Sequence, residues 1–298
     1  MTALMPVLFD WGTYNSASTL EKAALLGMKL TELPPYDLTR RYYGDEYFQG
    51  YAREARQAFT TITAHGPYYN VVAKRPETQA KVVKAFREAA RRAVLAGAEI
   101  FNIHLGWRIY YDDRDIDAAA EVVKAILDVL PSNVYLSLEV TYTRHQLGTF
   151  EDIRAIMEKV GDPRLTISNQ LENSFILLTR VYETGDFVGA DSIVDKSFWL
   201  RVLEETERLS RGYFSLRFSQ VTGVYFGGRL LKKRTPLGTG YPRLEPLAEA
   251  LAEYLVRLQR RRPGELKVHI IYTGPWQTKF RDAIRLYSEI AMRASELL

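Results

Sequence analysis

Only four histidines occur in this 298-residue chain, and two of them stand where an apolar run stops. His65 ends "TTITAH" (60–65) and His104 ends "EIFNIH" (99–104), each closely followed by a glycine, in "HGPYY" and "HLGW". The next apolar run, "VYLSLEV" (134–140), carries Glu139 at its end. Imidazole nitrogen and carboxylate oxygen are ligands for Zn²⁺, Mn²⁺ or Fe²⁺, and three of them on neighbouring strands close three sides of one ion. A lone strand-end histidine more often bonds a neighbour; the trio together favours the metal. His145, in the polar loop "TYTRHQLG", is expected in solvent, and His269, inside "KVHIIY", in the core. The chain has no cysteine, so thiolate sites and disulfides are excluded.

Eight apolar runs can position these groups: "PVLFD" (6–10), "KLTEL" (29–33), "TTITAH" (60–65), "EIFNIH" (99–104), "VYLSLEV" (134–140), "RLTIS" (164–168), "YFSLRFS" (213–219) and "KVHIIY" (267–272). Between them lie segments with apolar residues at helical spacing. In 77–98 these are Val82, Val83, Phe86, Ala90, Val94 and Leu95. Segments 117–130, 149–160 and 243–262 read the same way, and a last helix spans 276–298. "LGMKL" and "AGAEI" place a helix-stopping glycine directly before a strand. Strand–helix alternation predicts a parallel sheet, and eight units in this length predict an α/β fold, a closed (β/α)8 TIM barrel. The rival, an open doubly wound sheet, lacks a glycine-rich turn after the first strand. No linker or composition shift divides the chain, so residues 1–298 are expected to form one domain.

In such a barrel the chemistry gathers at the C-terminal ends of the strands. There the chain offers Asp10, Glu32, His65, His104, Glu139, Gln170, Arg217 and Thr273. Polar residues flank most strands, so the whole row carries more weight than any member. A net charge of +4 permits an anionic ligand without requiring one. The N-terminus lacks a basic, apolar leader and no run approaches ~20 apolar residues, so a cytoplasmic protein with no membrane segment is expected. Absent cysteine and abundant arginine and tyrosine suit a hyperthermophile.

The segment "ITAHGPYYNVVAKRPETQAKVVKAFREAARRAVLAGAEIFNIHLG" (62–106) resembles endonuclease IV, the metal-dependent apurinic/apyrimidinic endonuclease, whose motifs there are "HAPY", a long helix, "LGA" and "HPG". "SLEVT" (137–141) is similar to its "ENT" strand and "KRTPLGTG" (233–240) to its "RHENLGEG" loop. The same superfamily includes xylose-isomerase-like sugar enzymes. The resemblance implies a cluster of three metals held by nine ligands, of which His65, His104 and Glu139 match three. The other six do not match. Gln170 and Asn173 stand where the family has Asp and His, and Arg217 falls near its strand-seven His. Lys232 and Arg234 replace Asp and His, and Thr273 replaces Glu.

Carried over in this way, the resemblance implies at most one divalent metal, zinc or manganese, at His65, His104 and Glu139, or none. Glu139 is then a ligand, or a general base if no metal binds. Cations in the former metal positions can hold a phosphate. Substrate contacts are expected from Gln170, Asn173, Arg217, Lys232, Arg234 and Thr273, with Tyr69 and Trp107 as stacking surfaces. The expected ligand is abasic or damaged DNA, with phosphodiester hydrolysis an open question; a small phosphorylated sugar is the other partner class. Two rivals are a non-catalytic binder with a cationic pocket and, last, a sugar isomerase or epimerase. The bland alternative makes "RLLKKR" (229–234) an ordinary solvated basic loop.

Overall fold

A computed structural model describes residues 9–298. Eight parallel strands close into a barrel: β1 (Asp10–Tyr14), β2 (Leu30–Leu33), β3 (Thr61–His65), β4 (Ile100–Ile103), β5 (Tyr135–Glu139), β6 (Leu165–Gln170), β7 (Tyr213–Phe218) and β10 (Lys267–Tyr272). Between β7 and β10 the chain forms an antiparallel hairpin, β8 (Gln220–Phe226) and β9 (Arg229–Thr235). Helices surround the barrel, among them Pro76–Leu95, Asp113–Leu127, Phe150–Val160, Leu244–Arg261 and Lys279–Ser295. The fold is the expected TIM barrel.

Local sequence explains most of these elements. The barrel strands are buried on both faces, as parallel strands covered by helices must be, with apolar residues toward the helices alternating with polar residues toward the interior, as in "TITAH" and "YLSLE". The helices bury one stripe each; Phe86, Ala89, Ala90 and Ala93 form that stripe on Pro76–Leu95. Gly27 and Gly97 take the left-handed backbone, with φ of +77° and +80°, and end helices directly before β2 and β4. Phe150–Val160 starts on a capping box, in which Thr149 and Asp152 satisfy each other's backbone N–H.

Two expectations need correction. The first strand is Asp10–Tyr14, not 6–10, of which residues 6–8 lie outside the described residues. Pairing selects the segment: Gly12 and Thr13 align with Leu30 and Thr31 on one side and with Ile271 and Tyr272 on the other. Trp11 stacks on Tyr287, ring centroids 4.6 Å apart. Asp10 therefore opens its strand at the far end of the barrel, accepting hydrogen bonds from the Thr60 and Thr61 hydroxyls at 2.8 and 2.7 Å. The second is "RLLKKR", which is strand β9, not a loop. The period of two sends Leu230, Lys232 and Arg234 to one face and Leu231 and Lys233 to the other.

The barrel interior is polar. His269 is buried there, its Nε2 2.7 Å from the Ser215 hydroxyl, which in turn lies 3.1 Å from Ser168. Above them Ser137 donates to Asn102 at 2.8 Å, and Asn102 donates to Glu139 at 2.5 Å. This hydrogen-bonded column fills the space that bulky apolar side chains usually fill in such barrels.

Candidate metal and anion site

His65 and Glu139 are the last residues of β3 and β5, and His104 lies one residue past β4; these three strands are consecutive in the barrel. Imidazole Nε2 of His65 lies 3.3 Å from Glu139 Oε2, and that of His104 lies 3.3 Å from Oε1. One donor atom from each residue falls within 4.8 Å of the others. Two ligands of a tetrahedral zinc ion, each ~2.0–2.1 Å from it, lie roughly 3.3 Å apart. The residues therefore fit a metal, and three protein ligands leave the open position of a catalytic site.

The surroundings hold each ligand in a binding-competent state. His65 Nδ1 lies 2.8 Å from the Gly66 carbonyl, which accepts its proton and turns Nε2 toward the site. Burial holds the His104 imidazole down at about 3, so it is neutral at pH 7. Burial alone would raise Glu139, but His104, Arg217 and His65 beside it more than offset this, and the carboxyl lies well below its ordinary range. His104 is uncharged at neutral pH, whereas the Arg217 guanidinium keeps its charge, its Nε 3.2 Å from Glu139 Oε2. Oε2 also takes the Asn102 amide, which leaves Oε1 as the freer oxygen.

Arg217 is buried and largely engaged. Its Nη1 and Nη2 donate to Oε2 and Oε1 of Glu32, the latter at 2.8 Å, and its Nε reaches Gln170 Oε1 at 3.1 Å. Gln170 Nε2 in turn donates to Glu172 at 2.5 Å and to Thr273 Oγ1 at 2.8 Å. Gln170, Arg217 and Thr273 thus form a buried lattice beneath the mouth.

The remaining sequence-selected residues line a cavity of about 410 Å³ that opens over Glu139 and His104: Tyr69, Trp107, Asn173, Lys232 and Arg234. Lys232 donates to Asn173 Oδ1 and lies 4.8 Å over the Tyr142 ring. Burial pulls its ammonium down to about 8, so it keeps its charge at pH 7. Lys232 and Arg234 reach the cavity because β9 is a strand.

Tyr68, the first of the tyrosine pair in "HGPYY", lies against both imidazoles, ring centroids 5.2 and 5.0 Å away. Sequence reasoning passed over three contributors. Asn102 shares the inward face of β4 with His104, two residues on, a spacing that would have found it. Glu32 stood in the row of strand-end residues but was given no role. Glu172, inside "QLEN", is buried and takes Gln170, the Ser219 hydroxyl and the Ser219 N–H. His145 is exposed, as expected.

Comparison with known proteins places the fold. Residues 20–255 match the model of the family described as xylose isomerase-like TIM barrel. The uncharacterized protein MJ1455 of Methanocaldococcus jannaschii is 40% identical over 294 residues, covering 98% of this chain and 92% of that protein. Among solved structures, endonuclease IV from Thermus thermophilus superposes with a TM-score of 0.69 at 16% identity, covering 96% of this chain and all of that one. A D-tagatose 3-epimerase-like protein gives 0.68 at 14% identity, covering 97% and 100%. At such identities the structural likeness speaks for the fold alone, and no helix among the described residues is long and apolar enough to cross a membrane. With the family model matched over most of its length, the chain belongs to the xylose isomerase-like TIM barrels.

Proposed function

We propose that this barrel binds a phosphate-bearing ligand between a single divalent metal and a pair of cations, and that its substrate is a phosphodiester in abasic or damaged DNA. One observation carries the reading. The His104 and Glu139 donors line the same cavity as the cations Lys232 and Arg234. A metal held there supplies Lewis acidity and a water of lowered pKa. Lys232 and Arg234 bind the non-bridging phosphate oxygens and offset the charge that grows on them. Arg217 and Asn102 hold Glu139 in place, and the Gly66 carbonyl holds His65. Arg217 occupies the side of Glu139 turned away from His104, where it supplies fixed positive charge. Tyr69 and Trp107 flank the sugar. Glu139 serves better as ligand than as general base, because a carboxylate held so low is weakly basic.

An epimerase reading is less well supported. Moving a proton from one face of a sugar to the other calls for two free acid–base groups. Glu139 is held by Arg217 and Asn102 and is weakly basic, Glu32 is closed off by Arg217, and Glu172 by Ser219 and Gln170.

The test is elemental analysis of protein purified without chelator, with an abasic-duplex cleavage assay and its salt dependence. We expect about one metal per chain, cleavage abolished by chelator, and binding that weakens steeply with salt. Metal-free protein that neither binds nor cleaves the duplex would sink the reading.

A further inference from the structure

Beside the metal cavity lies a second one of about 330 Å³, and the two share Trp107 and Tyr142. Its walls are four aromatic rings, Trp107, Tyr111, Tyr142 and Tyr182, with Arg229 and His145. Its roof is the Gly227–Gly228 turn of the β8–β9 hairpin. Both glycines have positive φ, 57° and 75°, as the tight turn of a two-residue hairpin requires. The Arg229 guanidinium carbon stands 5.9 Å over the Trp107 ring.

The walls are built to stay in place. Trp107 bridges to Gln146, Arg108 N–H donates to the His145 carbonyl at 3.0 Å, and Leu147 N–H donates to Gly106 at 2.8 Å. These bonds tie the loops after β4 and β5 together. Tyr111 is a non-glycine residue in the left-handed region, φ 60°, where a side chain costs energy. Asp115 holds it there, its carboxylate taking the N–H groups of Ile109, Tyr110 and Tyr111 at 2.8 to 3.2 Å. The strained backbone presents an exposed Tyr111 ring edge-on to His145, centroids 6.3 Å apart.

The two cavities want different chemistry. The inner one carries Glu139, Asn70, Gln146 and Asn173, which suit hydroxyls. The outer one has no carboxylate and no side-chain amide among the described residues of its lining; its polar groups are Arg229, His145, Thr143 and the tyrosine hydroxyls. Flat aromatic walls with a guanidinium and an imidazole at hand suit a planar ring bearing acceptor atoms. Its size is near the low end for small-ligand pockets.

We infer that the outer cavity is the subsite for one unpaired nucleobase, so that, of abasic and damaged DNA, the ligand is a damaged nucleotide that keeps its base, with its phosphate in the metal cavity and its base under the hairpin. This rests on the phosphate reading of the inner cavity. The subsite stacks the base between aromatic rings, and Arg229 bonds its edge.

Calorimetry with the metal-loaded protein, comparing thymidine 5′-monophosphate with 2-deoxyribose 5-phosphate, tests it. The nucleotide should bind roughly five- to a hundred-fold tighter, the range stacking on an aromatic gives. Tyr111→Ala, which lies outside the inner cavity, should remove most of that preference and leave the affinity for deoxyribose 5-phosphate unchanged; Arg229→Ala should reduce it. A thermal melt of each variant checks the fold. Equal affinity for the two ligands in the wild type, or a full preference surviving in Tyr111→Ala, overturns the base subsite while the phosphate reading stands. Binding of neither ligand overturns both.

Discussion

Arg217 and Glu32, 185 residues apart in the chain, close a fork of two nitrogens on two oxygens across the top of the barrel interior. Their strands, β7 and β2, are separated in the barrel by β10 and β1. Both side chains are buried, and the same guanidinium reaches Glu139. One arginine therefore links a structural carboxylate to a candidate metal ligand.

Removing Glu32 takes from the buried Arg217 the two oxygens that its terminal nitrogens hold and leaves Glu139 as its remaining counter-charge. Glu32→Ala is expected to destabilise the protein by ~3–5 kcal/mol in urea unfolding. Glu32→Leu combined with Arg217→Met is expected to cost less than the two changes added together, because neither member of the pair is then left facing the gap, although Glu139 loses its arginine in both Arg217 variants. A double variant as unstable as the two single changes added together would show that the pair is not coupled.

Asn102 tests the support of Glu139. With Asn102→Ala the carboxylate loses its 2.5 Å amide bond, and metal affinity should drop about 10- to 100-fold, the usual loss when a ligand's supporting bond is removed. Metal titration monitored by calorimetry reads this directly. His104→Ala should remove the metal altogether.

Lys232 sets an upper pH limit on anion binding. Its ammonium, drawn down by burial to about 8, is charged below that pH and neutral above it. Phosphate affinity should be flat from about pH 6 to 7.5 and then fall as pH rises through 8. Lys232→Arg should keep the affinity flat to about pH 10, since guanidinium stays protonated. A wild-type profile without a bend near 8 would remove Lys232 from the anion site.

Two neutral imidazoles, the buried His269 and the partly buried His104, make the metal-free protein acid-sensitive. Burial lowers both His104 and His269 from 6.5 to about 3. Since the folded values lie below the unfolded ones, the unfolded chain binds more protons between those limits. Stability is therefore full above pH 6.5 and is lost as pH falls toward 3, by about 1.4 kcal/mol per pH unit for each group. Chemical unfolding at pH 7 and 5 in chelator should show the loss, and His269→Leu should reduce the slope by about one proton's worth.

Much of the molecule was legible in the chain. Apolar runs alternating with amphipathic segments, and Gly27 and Gly97 at their joints, express local backbone and side-chain preferences, and these sufficed for an eight-stranded barrel. Because barrel strands run in chain order over this stretch, strand-end residues in successive runs become neighbours, and so His65, His104 and Glu139 could be grouped. Other features rest on contacts between distant segments. Pairing with β2 and β10 chose Asp10–Tyr14 as the first strand and turned Asp10 to the far end. Pairing with β8 made "RLLKKR" a strand, although Gly227–Gly228 between two β-rich runs was a hairpin signal in plain view. The sequence by itself determined which side chains carry charge and which can bind metal. Only the tertiary structure decided that Arg217 faces Glu32 and Glu139 while Lys232 and Arg234 face the cavity, because the partner of a buried charge is set by barrel closure and not by spacing along the chain.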